Sequence, residues 1–149
     1  MREGTFREDR NSEGVRFAPV DPVEPDWKEH LPGRRKDDEM VRRIASETWA
    51  RIVPQLVRTA GLTDTQRDTA VDYCVTWARL VLAERRMSIE GLVVSTERGN
   101  VKSPWTTIAH QYRAHFRSLV GELGLSPASA TRLSPPEGGG DGDEDDPFD

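Results

Sequence analysis

The residues of this chain that could bind a metal ion are histidines and closely spaced aspartates. His110 and His115 are five residues apart, which puts them on different helix faces, whereas a His-x-x-x-His metal pair needs one face. Asp141, Asp143 and Asp145 are spaced like the start of a calcium loop. However, glycine is missing at the sixth position, and the sequence ends before the twelfth. We therefore expect no metal site and interpret these aspartates as a solvated acidic tail.

Catalytic motifs are not visible in the sequence. There is no Gly-x-x-x-x-Gly-Lys-Ser/Thr phosphate loop, no Gly-x-Gly-x-x-Gly turn and no Gly-x-Ser-x-Gly nucleophile elbow. The single cysteine, Cys74, lies at an apolar helical position, which is typical of a buried structural thiol. The sequence therefore predicts a protein that is not an enzyme and that binds no cofactor.

Clustered cations are the remaining candidates for binding chemistry. Arginine and lysine bind nucleic acids by replacing the counterions of the phosphates. The best candidates flank the start of a predicted helix and are Arg34, Arg35, Lys36, Arg42 and Arg43. A competing interpretation pairs the last two arginines with Asp38 and Glu39, about one helical turn away. Arg85 and Arg86 fit a phosphate contact and the ordinary cations of a helix C-terminus equally well.

Amphipathic helices are predicted to hold these side chains. The first begins at Asp37, because acidic residues suit a helix N-terminus, and apolar pairs then recur every four residues until Gly61 ends the helix. Pro54 lies inside this pattern and predicts a kink or a break. The second helix opens with a capping box formed by Thr63 and Gln66. Its two apolar stripes are typical of a central helix or of an oligomer interface. We expect the extra stripe to be buried between subunits.

The remaining elements are a hairpin, a third helix and a short last turn. Residues 88–102 hold two apolar runs around a glycine-containing turn, which predicts a short β-hairpin. Ser103 as N-cap and Pro104 in the first turn start the third helix, and Gly124 stops it. The same Ser-Pro signal opens a last turn over 126–133. Three tryptophans at helical spacing among aliphatic residues are interpreted as core rather than as platforms for bases: Trp49, Trp77 and Trp105.

Composition divides the 149 residues into three parts. Prolines and mixed charges predict a flexible, extended and solvated N-terminal arm over 1–36, and residues 37–134 form the predicted helical core and oligomerisation domain. Residues 135–149 are a predicted disordered acidic tail, with seven acidic and no basic residues. The arm has 8 basic and 8 acidic residues and the core 13 and 11, so the acidic excess lies in the tail. The predicted fold class is mainly α, with three principal helices and a short hairpin-like insertion.

Taken in order, these features resemble the small subunit of a phage terminase, a component of DNA-packaging motors. The resemblance covers roughly 38–133, and its motifs are Trp49, Pro54-x-Leu56, Gly61-Leu62-Thr63-Asp64, Asp72-Tyr73-Cys74, Trp77, Gly91, Gly99, Lys102-Ser103-Pro104, Leu123-Gly124-Leu125-Ser126-Pro127 and Arg132-Leu133. It implies a non-catalytic homo-oligomeric ring that binds double-stranded viral DNA. The implied partner is a large subunit with ATPase and nuclease activity.

The sequence leaves other functions and the location of the protein to be weighed. No apolar run approaches the ~18 residues that span a bilayer, so we expect no membrane association and a location in the cytoplasm of the infected bacterial host. The alternatives are a helix-turn-helix transcription regulator, built on the turn at 59–63, and a structural phage assembly protein that binds no DNA. Asp64, Asp68 and Asp72 count against the regulator, because acidic residues in a recognition helix repel phosphate.

Overall fold

The computed structural model describes residues 19–133, and helices account for most of them. The helices are α1 (Trp27–His30), α2 (Lys36–Ala60), α3 (Arg67–Glu90), α4 (Pro104–Glu122) and α5 (Pro127–Leu133). A short 3-10 turn, Asp64–Gln66, precedes α3. The strands β1 (Val93–Thr96) and β2 (Gly99–Lys102) pair antiparallel. The predicted fold class is confirmed: α2, α3 and α4 are the three principal helices, and the hairpin is inserted between the last two.

The first long helix, α2, is uninterrupted over its 25 residues. Gly61 ends it in the left-handed region, with φ of 64°, as the sequence predicted. The helix continues through Pro54, so the predicted break does not occur. Pro54 is exposed, while Val53 and Leu56 beside it are buried in the core. Core packing on both sides of the proline therefore holds the helix together, although one backbone donor is missing.

The second long helix, α3, is the centre of the fold. The backbone N–H of Thr63 donates to Gln66 Oε1 at 2.9 Å, which confirms the predicted capping box. One face of α3 packs on α2 and another packs on α4. The Tyr73 and Trp77 rings lie 4.9 and 5.2 Å from the ring of Phe116 on α4. The second apolar stripe is thus covered by α4 of the same chain, and the expectation that it is buried between subunits was wrong.

The hairpin connects α3 to α4 and is largely exposed. Its strands are in register with Val94 opposite Val101, and the two residues between the strands are Glu97 and Arg98. Ser103, which is fully buried, follows β2, and its backbone N–H donates to the carbonyl of Leu92 at 2.9 Å. The Ser103 hydroxyl then accepts a hydrogen bond from the first turn of α4, as its predicted role as N-cap requires.

Part of the expected N-terminal arm is packed rather than solvated. Trp27, in the short helix α1, is only 8% exposed, and its ring lies edge to face with Trp49 at 6.3 Å. Its indole N–H donates to Glu24 Oε1 at 2.6 Å. Farther along, Arg67 Nε donates to the carbonyl of Val23 at 2.7 Å. The apolar area of one indole outweighs the prolines and charges around it, and so this segment lies against the core.

Two expectations fall on parts of the chain that the structure does not describe. The first half of the N-terminal arm, up to residue 18, and the acidic tail at 135–149 both lie outside the described residues. The boundaries of the three predicted parts remain predictions. Within 19–133, no helix combines the length and the apolar character that crossing a membrane requires.

Candidate nucleic-acid interface

The cationic cluster predicted from the sequence lies where the chain enters α2. Arg35 is the N-cap, and its backbone N–H and its Nε both donate to Asp38 Oδ2, at 2.9 and 3.1 Å. The hydrogen bond to Asp38 raises the pKa of Arg35, and the reciprocal bonds lower the pKa of the Asp38 carboxyl. A Cβ atom at Gly33 would overlap the Asp38 carboxylate, so a larger residue there would have to displace it. Arg35 thus serves the start of the helix.

Arg42 reaches backward to the same junction. Its Nη1 donates to the carbonyls of Leu31 and Gly33, at 2.7 and 2.5 Å. These hydrogen bonds go to backbone carbonyls instead of the Asp38 or Glu39 carboxylates of the competing interpretation. The guanidinium therefore satisfies two carbonyls of the chain that connects α1 to α2. Arg42 is half-buried, and a phosphate would have to displace these bonds in order to reach it.

The other three predicted cations are exposed. Arg43 lies 3.9 Å from Glu47, with both side chains about two thirds exposed, and an ion pair of this kind contributes little to stability. Arg34 and Lys36 make no salt bridge or side-chain hydrogen bond within 19–133. Of the five predicted residues, Arg34, Lys36 and Arg43 are therefore available to an external anion.

The exposed cations continue along the outer face of α2. Arg51 and Arg58 follow Lys36 and Arg43 at separations of seven, eight and seven residues, which keeps all four on one side of the helix. All four are exposed, and we call them the α2 ridge. Arg51 and Arg58 were not among the cations predicted from the sequence. The signal was present, because both fall between the apolar pairs that mark the buried face of this helix.

The second cationic pair from the sequence holds α3 to α2. Arg86 Nη2 donates to Asp37 Oδ2 at 2.5 Å, and this bond raises the pKa of Arg86. Arg85 Nη1 lies 2.9 Å from the sulfur of Met40. The end of α3 is therefore tied to the start of α2, and the ion pair accounts for Arg86 without a phosphate.

The histidines and the cysteine that could carry metal or thiol chemistry differ in their contacts and burial: His110, His115 and Cys74. His115 Nε2 lies 2.8 Å from Asp72 Oδ2, across the packing of α4 on α3, while His110 is exposed. In the described part of the chain, no three side chains of the ligand-forming types approach closely enough to hold a metal ion. Cys74 is 1% exposed, and burial raises the pKa of its thiol to about 12, which confirms a buried structural thiol.

A separate apolar patch lies at the hairpin end of the molecule. Its members are exposed by 44 to 78% and belong to the end of α3, the linker and the two strands: Ile89, Leu92, Val93 and Val101. In the strand register Val101 is opposite Val94, so Val93 and Val101 lie on opposite faces of the hairpin. Exposed apolar residues concentrated at one end of a molecule are candidates for contact with another protein. This patch and the α2 ridge are two distinct candidate binding surfaces.

A family model described as "Phage terminase, small subunit" matches residues 45–139, which is more than half of the chain. The matched segment takes in most of α2, all of α3, the hairpin, α4 and α5. No match was found among curated proteins or among solved structures.

Proposed function

The chain belongs to the phage terminase small-subunit family, and from that premise we propose that it is the DNA-recognition component of a viral genome-packaging machine. In this role it binds double-stranded viral DNA and regulates a large subunit that carries the ATPase and nuclease activities. The family is generally non-catalytic, which agrees with the lack of catalytic motifs in the sequence. The protein would act in the cytoplasm of the infected bacterial host.

The family match over residues 45–139 carries this proposal, and the accessible cations support it. At the junction, Arg34, Lys36 and Arg43 would contact DNA phosphates directly. Arg35 and Arg42 would hold the local backbone, because Asp38 and two carbonyls already occupy their guanidinium groups. The five residues thus act together, three as ligands for phosphate and two as supports.

We further propose that the protein forms a homo-oligomeric ring. Since α4 covers the second face of α3, the apolar patch at the hairpin end is the better candidate for the contact between subunits. A contact between this patch and a different surface of the next subunit is head to tail, and such contacts form a ring when the rotation between neighbouring subunits closes. Multivalent binding by a ring would strengthen a weak contact made by each subunit.

The helix-turn-helix alternative is disfavoured by the way that α2 and α3 pack. In a helix-turn-helix the two helices cross at roughly 90–120°. Here the salt bridge between Arg86 and Asp37 joins the far ends of the two helices, so they lie side by side along their length. The turn at Gly61 therefore connects two antiparallel helices.

Binding and enzyme assays together test the proposed function. We expect the full-length protein to bind duplex fragments of the phage genome with an affinity that falls steeply as salt rises. It should also change the ATP hydrolysis rate of the large subunit encoded beside it. A protein that binds no duplex DNA at low salt and leaves that rate unchanged would contradict the proposal and favour a structural assembly protein.

A further inference from the structure

We infer that duplex DNA lies along the outer face of α2 and that the α2 ridge binds its phosphate backbone. The inference rests on the proposed function, because it takes duplex DNA as the partner. It extends the contact beyond the junction found in the sequence, by two cations that neither the sequence analysis nor the family match assigns. Lys36 and Arg43 belong both to the cluster at the junction and to the ridge, whereas Arg51 and Arg58 belong only to the ridge.

The cations of the ridge are free to bind a ligand. Within the described residues, Lys36, Arg51 and Arg58 form no salt bridge or side-chain hydrogen bond, and Arg43 has only its long contact with Glu47. Other cations of the fold are engaged, as Arg86 is with Asp37 and Arg113 is with Glu84. Exposed cations without a partner also occur on α1, the hairpin and α4, but α2 is the helix of 19–133 that places several of them in one line.

The length of the ridge suits a duplex. Lys36 and Arg58 are separated by 22 residues of continuous helix, or about 33 Å at 1.5 Å per residue. This length is close to one turn of duplex DNA, which is about 34 Å. A straight line along the surface of a duplex crosses each of its two phosphate strands once per helical turn, so a row of cations of this length meets both strands. Such a contact positions the protein on DNA and does not read its sequence.

The residue types on the outer face of α2 favour DNA over a protein partner. Stable protein interfaces have an apolar or aromatic centre with a polar rim. The large apolar side chains that are exposed in 19–133 all lie outside α2: Val20, Val23, Ile89, Leu92, Val93, Val101 and Leu125. The outer face of α2 offers four cations, the exposed anions Glu39 and Glu47, a few small or polar residues and no apolar centre. A polyanion fits this surface better than a folded protein does.

Glu47 is the residue that makes the inference sharply testable. It lies on the same face between Arg43 and Arg51, it is 69% exposed, and it is the nearest anion to Arg43. A carboxylate in this place repels phosphate and competes for Arg43. Replacing it by the neutral amide, Glu47→Gln, should therefore strengthen DNA binding. A gain of affinity cannot result from misfolding.

The test measures binding of the full-length protein to a labelled, unrelated duplex by fluorescence anisotropy, across about 50 to 200 mM salt. We expect the double variant Arg51→Gln and Arg58→Gln to bind about tenfold more weakly at low salt. Its plot of log affinity against log salt should be shallower by about 1.8 for each subunit in contact, which is ~0.9 for each lost phosphate contact. Glu47→Gln should bind about twofold to fivefold more tightly at low salt.

Matched controls carry the same change of net charge away from the ridge. Arg98→Gln with Arg117→Gln removes two exposed cations from the hairpin turn and α4, and Glu97→Gln removes one exposed anion. If the ridge variants change binding no more than these controls do, DNA is bound elsewhere and the inference is overturned while the proposed function stands. If the wild-type protein fails to bind this duplex at low salt, the inference is overturned, and phage DNA binding with the ATP hydrolysis rate of the large subunit then decides the proposed function. If Arg51→Gln with Arg58→Gln weakens binding of a peptide of residues 135–149 but not of DNA, the ridge serves an acidic protein segment and the inference is again overturned.

Discussion

Trp27 provides a direct test of where the folded domain begins. Its indole is 8% exposed, contacts Trp49 edge to face and donates a hydrogen bond to Glu24. Replacing a buried tryptophan by alanine costs about 3–5 kcal/mol of unfolding free energy. Trp27 lies at the edge of the core, where solvent can fill the space, so we expect the lower end for Trp27→Ala. A loss of ~3 kcal/mol corresponds to a melting temperature lower by roughly 10 °C.

The assay is urea unfolding followed by far-UV circular dichroism, because tryptophan fluorescence would itself change in this variant. Lys28→Ala is the matched control, since Lys28 is exposed on the same short helix, and it should change the unfolding free energy by less than about 0.5 kcal/mol. If the unfolding free energy of Trp27→Ala is within about 0.5 kcal/mol of the wild-type value, the segment before α2 is not part of the core. The boundary between arm and core that the sequence predicts at residue 36 is then correct.

Three further predictions concern the Arg42 side chain, the Cys74 thiol and the acidic tail at 135–149. Arg42→Gln should lower the unfolding free energy by about 1–3 kcal/mol in urea titrations, because two carbonyls lose a charged donor, whereas Arg43→Gln should leave it unchanged. Because burial raises the pKa of Cys74 to about 12, its thiol should react with a disulfide reagent at pH 8 only after unfolding, and rapid reaction of the native protein would refute this. Deleting residues 135–149 changes the formal charge from −5 to −5 + 7 = +2, so the truncated protein should bind unrelated duplex DNA more tightly at low salt, with the difference fading at high salt. Identical binding of the two forms at low salt would show that the tail does not compete with phosphate.

The helix boundaries could be predicted because their signals are local. The backbone N–H of Thr63 donates to the side chain of Gln66 within one turn. The Ser103 hydroxyl caps α4 by accepting a hydrogen bond from the backbone N–H of Trp105, two residues later. Gly61 adopts the positive φ that a helix end favours. Each of these interactions spans only a few residues, and so the sequence alone specifies it.

The contacts that the sequence analysis missed are nonlocal. Nothing near Trp27 in the sequence indicates that its indole packs on Trp49, 22 residues later, and the surrounding prolines and charges indicate a solvated chain. Arg42 likewise bonds to carbonyls nine and eleven residues earlier, which no helical spacing rule describes. The second apolar stripe of α3 is covered by α4, and this contact forms only because the chain returns across α3 after the hairpin. Tertiary packing decided each of these outcomes.

The candidate site was partly predictable for the same reason. The cluster before α2 is conspicuous because its cations are adjacent in sequence, whereas Arg51 and Arg58 join it only when the helix aligns residues seven and eight apart. Which cations are already engaged, as Arg35 is with Asp38, could be learned only from the structure.

The solution mass of the protein tests most directly whether this small terminase subunit forms the proposed ring. Light scattering on the eluting peak of a size-exclusion column, at micromolar concentration, gives the mass without assuming a shape. A closed oligomer of many 16.8 kDa subunits is the result that we predict. A monomer would contradict the ring, and a dimer would instead favour a transcription regulator.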